Sequence, residues 1–213
     1  MNTQKKLVKE IEIYCTLLAN APWENRTFYG NWLAQTYHFV QHNLKLIALA
    51  AAYTEPGEYK DYNRYVEHMR EESGHEYMAK RDLEKLGFHI TEFPEQVETK
   101  SLYSLAYFNI PRYGHESLIG YAVCLEMIAD KLGIIINEKV TSFHGHSSEF
   151  LKVHGEEDEA HLVEAFKLVE NLTGGKQRLF EKTFYETCIA YRNFWQACLP
   201  TDLKKEMSLD KVS

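Results

Sequence analysis

The stretch Phe150–Val169, FLKVHGEEDEAHLVEAFKLV, sets the reading of the whole chain. It spaces His154, Asp158 and His161 four and three residues apart. At about 100° per residue, Asp158 lies roughly 40° to one side of His154 and His161 roughly 20° to the other. The same strip carries Phe150, Leu151, Ala165, Leu168 and Val169, while Glu156 and Glu159 fall on other faces. Two imidazoles and a carboxylate therefore sit on the apolar, inward side of a helix. Burying such groups unpaired costs several kcal/mol. A metal ion is the natural compensation. Glu157, three residues after His154, competes with Asp158 for the carboxylate position, and Asp158 lies nearer the middle of the strip.

Outward from this helix, the chain reads as all-α. Helical periodicity runs through its long segments, with only five prolines among 213 residues and no sustained strand alternation. Seven helices are expected: Thr3–Leu18, Thr27–Ala52, Asp61–Leu86, His115–Leu132, Ile134–Phe143, Ser148–Leu172 and Gln177–Leu199. A less regular connection should lead up to Pro111, and Gly87, Gly133 and Gly174-Gly175 read as stops. The last residues, 201–213, read as a frayed tail.

Composition removes several function classes. The net charge of −7 and the lack of a basic patch argue against nucleic-acid binding. No apolar run approaches the length of a membrane span, and the N-terminus lacks a signal-peptide core, so a cytoplasmic protein is expected. Cys15, Cys124, Cys188 and Cys198 are widely spaced, without a CxxC, and read as buried reduced thiols.

Two more stretches carry chemistry. HMREESGHE places Glu72 and His75 three apart on one helix face, with His68 and Asp82 on that side too. One helix turn of this kind offers an oxygen and a nitrogen to one metal. In GYAVCLEMIADKLG, Glu126 shares a face with Ile119, Ala122, Val123 and Ala129, which is no place for a solvated carboxylate. Together, Glu72, His75, Glu126, His154, Asp158 and His161 make three carboxylates and three imidazoles. A mixed N/O set without thiolate suits iron or manganese. Six side chains suit two ions with open positions. Tyr37 and Gln41, on the apolar strip of the second helix, are candidates for lining a pocket or adding a ligand, as is His68.

The stretches EESGHEYMAKRDLEKLG, GYAVCLE and HGEEDEAH resemble the three ligand helices of the heme-oxygenase-like di-iron oxidases, the iron-containing redox enzymes of the heme oxygenase, TenA and PqqC superfamily. The resemblance covers roughly residues 27–172. It implies a seven-helix heme-oxygenase-like domain over residues 1–200, followed by the tail. It further implies two Fe2+ ions, with manganese as the alternative, held by the six residues above, and O2 as co-substrate. A small organic substrate of the amino acid or fatty acid class, an electron donor and a homodimer complete the expectation. Some members carry a carboxylate seven residues before the histidine of the first ligand helix. Here that position is His68, so the carboxylate falls to Glu72. The rival readings are a heme oxygenase, a metal-free TenA-like hydrolase using Cys188 or Cys198, and a non-catalytic binding protein of the same fold.

Overall fold

The computed structural model describes residues 3–201; the side chains of residues 3–6, 8, 10, 13, 157–161 and 164 fall outside that description. Among the described residues there are nine α-helices, one 3-10 turn and no strand. They are α1 (Thr3–Ala19), α2 (Arg26–Val40), α3 (Asn43–Ala52), α4 (Tyr59–Glu71), α5 (His75–Lys85), α6 (Val97–Tyr113), α7 (Ser117–His144), α8 (Glu149–Asn171) and α9 (Gly174–Cys198). The class is as expected, and the segmentation differs in four ways.

The expected second helix breaks at Gln41–His42 into α2 and α3. No glycine or proline marks this break. His42 instead stacks on Tyr103 of α6 at 3.7 Å between ring centroids, with its Nδ1 3.1 Å from Tyr107 Oη. The break shifts the apolar register, so that Leu46, Ile47, Ala50 and Ala51 are buried while Ala48 is exposed. The expected third helix also breaks, at Glu72–Gly74, where Gly74 takes a left-handed φ of +99°.

The stretch leading to Pro111 is helical, not irregular. Its N-terminus is stabilised from a distance: Gln35 Oε1 of α2 accepts from Gln96 N at 3.0 Å and from Thr99 Oγ1 at 2.7 Å. A helix capped by a side chain sixty residues away leaves no local signature.

Finally, Gly133 does not stop a helix; α7 runs through it. A Cβ there would lie 2.8 Å from Gly155 Cα, so the glycine is a packing notch where α7 and α8 touch backbone to backbone. Gly120 does the same against α9, where a Cβ would sit 2.6 Å from Phe184 N. Close packing of α7 between α8 and α9 builds the core, with Val123, Cys124, Phe180, Phe184 and Phe194 almost fully buried. All four cysteines are free and buried. No helix among the described residues is long and apolar enough to cross a membrane.

Candidate metal centre

Three of the six expected ligands meet. Glu72, His75 and His154 each offer one donor atom, and these atoms lie within 4.8 Å of one another. Each is positioned by local backbone chemistry. The α4–α5 break puts Glu72 at the C-cap of α4 and His75 at the first position of α5. Gly74 lets the chain turn there without carrying either side chain out of the interior. His154 comes from α8, and its ring packs edge-on to His75 with centroids 5.0 Å apart. Its Nδ1 lies 2.8 Å from the Phe150 carbonyl. A carbonyl can only accept, so Nδ1 carries the hydrogen and Nε2 keeps its lone pair. That is the tautomer a metal ligand needs.

Asp82 ties α5 to α8. Its Oδ2 accepts from Ser148 Oγ at 2.7 Å and from Phe150 N at 3.0 Å, at the N-terminus of α8. Ser148 Oγ in turn caps Leu151 N. The sequence placed Asp82 on the ligand side; here it acts as a buried brace that fixes the helix of His154 against that of His75, and Lys85 Nζ satisfies its other oxygen at 2.9 Å.

Glu72 is the electrostatic centre of the group. It is 8% exposed. Its Oε1 lies 3.6 Å from His68 Nε2 and its Oε2 3.9 Å from His75 Nδ1. Burial alone would raise its pKa, but the His68 ring beside it and the charges of His154 and His75 outweigh that and hold it down to about 2. Its Oε2 is buried and makes no hydrogen bond among the described residues.

The arrangement fits a metal. A first-row ion bound at about 2.0–2.2 Å needs donors about 3–4.5 Å apart, close to the observed spacing. The donors are nitrogen and oxygen without sulfur, which favours iron or manganese over a structural zinc site. Glu72 Oε2 is a buried carboxylate oxygen with no hydrogen bond among the described residues.

Glu72 and His154 line an apolar cavity of about 340 Å³ that Glu126 and His68 also line. Glu126 thus faces the same space, as its apolar neighbours indicated. The side chains of Asp158 and His161, and of Glu157, lie outside the described residues. Of α2, Trp32, Thr36, Phe39 and Val40 reach the cavity, whereas Tyr37 and Gln41 do not. Gln41 caps α2 and donates to the His38 carbonyl at 3.1 Å. Thr36 Oγ1 and Tyr121 Oη, both buried on the cavity wall, make no hydrogen bond among the described residues. Sequence reading missed both; Tyr121 lies five residues before Glu126, on a helix whose pattern looked merely apolar. The α9 thiols do not line the cavity, and Cys188 Sγ instead sits 3.3 Å from Cys124 Sγ.

A second group, Glu58, Asp61 and His115, also brings its donor atoms within 4.8 Å of one another. Sequence reading did not single it out. Glu58 and His115 are engaged with protein partners. His115 Nε2 lies 3.1 Å from Glu58 Oε2, His115 Nδ1 lies 3.1 Å from Tyr65 Oη, and Lys176 pairs with Glu116 and approaches Glu58 at 3.8 Å.

The helices enclose carboxylates and imidazoles around an apolar cavity, and solved structures place this architecture in the heme-oxygenase-like fold class. The chain resembles a domain of unknown function with a heme oxygenase-like fold from Shewanella denitrificans, at TM-score 0.74 and 19% identity over 100% of this chain and 99% of that one. It is also similar to a TenA homologue from Pseudomonas syringae pv. tomato, at TM-score 0.74 and 13% identity over 91% of each chain. A third neighbour is a CADD-like protein of unknown function from Nostoc punctiforme, at TM-score 0.59 and 15% identity over 98% of this chain and 99% of that one. No curated protein matches the chain in sequence. The model of the iron-containing redox enzyme family matches residues 30–192, and the chain belongs to that family.

Proposed function

We propose that the protein is a non-heme di-iron oxidase that uses O2 to oxidise, desaturate or cleave a small, mainly apolar organic molecule. The observation that carries this reading is the buried Glu72–His75–His154 group on an apolar cavity, with a carboxylate oxygen left unbonded among the described residues. Glu72, His75 and His154 would hold one ion. Glu126, Asp158 and His161 would complete the second, with Glu126 reaching it from the cavity side of α7. When bound, the two ferrous ions supply O2 activation and two of the electrons it needs; the rest come from the substrate or an electron donor.

The chain's own residues do the remaining work. The Phe150 carbonyl keeps the His154 ring in one tautomer. Asp82 holds α8 against α5, so that the ligands keep their separation without metal. The walls from Phe39, Val40, Leu46, Ile128 and Leu132 exclude water and leave only dispersion and shape to position the substrate body. Thr36 and Tyr121 supply the hydroxyls that can hydrogen-bond a polar group on it.

The test is anaerobic Fe(II) titration of the metal-free chain followed by O2 addition. Two irons per chain with O2-dependent oxidation of the bound iron is the expected outcome. One iron per chain would overturn the two-ion assignment, and a folded chain that takes up none would overturn the oxidase reading.

A further inference from the structure

Cys124 of α7 and Cys188 of α9 are almost fully buried, and their sulfurs are 3.3 Å apart. A disulfide holds its sulfurs at about 2.0 Å and its Cα atoms at about 4.4–6.8 Å, so two helices must run close together to be bridged. These two do. At Gly120 a Cβ would sit 2.6 Å from Phe184 N, and Cys124 and Cys188 each lie one turn further along the same helices. The glycine notch that packs the core also brings two thiols within reach of a bond. The pair lies behind the cavity wall. Ala122, Val123 and Leu125, on either side of Cys124, line the cavity, as does Tyr191, three residues after Cys188.

We infer that Cys124 and Cys188 are a reversible dithiol–disulfide couple, closed by a small neutral peroxide that arrives through the cavity. The step balances without a metal. One sulfur attacks the O–O bond of hydrogen peroxide, becomes a sulfenic acid and releases one water. The second sulfur displaces the hydroxyl, which leaves as another water. Each sulfur gives up one electron and one proton, and one peroxide becomes two waters. Burial disfavours the attacking thiolate, so closure is slow. Contact between the sulfurs lets the disulfide form before more peroxide reaches the sulfenic acid. Oxidised glutathione is too large and too charged for an apolar cavity of about 340 Å³. The closed bond ties α7, which brings Tyr121 and Glu126 to the cavity, to α9, which brings Tyr191 there. The two cysteines are 64 residues apart in sequence, so the cross-link also removes much of the unfolded chain's freedom.

The test exposes the full chain, kept metal-free by chelation, to excess hydrogen peroxide. Thiols are then counted after unfolding, and disulfides are mapped by mass spectrometry without reduction. The expected result is that two of the four thiols are lost over about an hour, with a mass lower by two hydrogens and a Cys124–Cys188 peptide pair. The melting temperature should rise by about 5 °C or more, and dithiothreitol should reverse both changes. Oxidised glutathione should leave all four thiols in place. A variant carrying Cys15→Ala and Cys198→Ala should close as fully as the unaltered chain, whereas Cys188→Ser should form no disulfide within the chain. Four thiols remaining after peroxide overturn the inference, as does a disulfide to Cys15 or Cys198, or a gain of oxygen that dithiothreitol does not reverse. A fall in melting temperature on closure overturns the couple as part of the native packing. Equal closure by oxidised glutathione overturns the route through the cavity. None of these outcomes depends on iron.

Discussion

Two groups of histidine and carboxylate border the same cavity, and they differ in what their donor atoms already do. In the Glu58–Asp61–His115 group, His115 has a partner on each ring nitrogen, and Lys176 supplies a cation. Glu58 has 29% of its side chain exposed, so water shares its charge. In the Glu72–His75–His154 group, the Glu72 side chain is 9% exposed, and one of its oxygens makes no hydrogen bond among the described residues. Among the described residues, His154 makes its hydrogen bond through Nδ1. Both groups bring three His and carboxylate donors within 4.8 Å of one another, one with two imidazoles and the other with two carboxylates. What separates a ligand set from a structural ion-pair network is whether the donors are already spent.

The comparison can be broken or sharpened by substitution. His154→Ala should have the largest effect, a loss of iron affinity of about 100-fold or more with helical content kept, read by metal analysis and circular dichroism. Retained iron would remove His154 from the ligand set. Glu72→Gln comes next. It should lower iron affinity by about 10–100-fold. It should also destabilise the metal-free chain near neutral pH, because the folded state holds the Glu72 carboxylate in its charged form and a neutral amide loses that attraction to the neighbouring histidines. Asp82→Ala should cost about 2–4 kcal/mol in denaturant unfolding, since it leaves Ser148 and the Phe150 amide without their acceptor, and should weaken iron binding by no more than about tenfold. His115→Ala should be mildest, about 1–2 kcal/mol of stability with iron stoichiometry unchanged. A fall in iron content there would erase the distinction between the two groups.

The sequence carried the helical class and the inward carboxylates well. Glu126 among small apolar residues could hardly face water, and it lines the cavity. One continuous helix would place Glu72 and His75 on one face, and in the structure His75 Nδ1 lies 3.9 Å from Glu72 Oε2. The Ser73-Gly74 step breaks that helix, and the pair survives because Gly74 can adopt a positive φ. Contacts between distant segments were not legible. The α2–α3 break follows from His42 stacking on α6, and the start of α6 from the amide of Gln35, neither of which local periodicity reports. Gly133 misled for a related reason: a glycine that lets two backbones touch looks, in sequence, like one that ends a helix. The Glu58–His115 network went unseen because its members are fifty-seven residues apart and meet only in the folded chain.

The paired glycines of α7 and α8 act as a ruler. A methyl on Gly155 would come within 2.9 Å of the Ile134 amide nitrogen, where carbon normally keeps about 3.5 Å or more. Relief requires the two helices to part by roughly half an ångström, whereas a metal–ligand bond tolerates about 0.2 Å. His154 is the immediate neighbour of Gly155, and Glu126 lies two turns from Gly133. Gly155→Ala should therefore loosen iron without touching a ligand, by widening the span between the two ligand helices. On this view the metal affinity of the protein is calibrated by a hydrogen atom in place of a methyl group, at a position that contributes no donor atom.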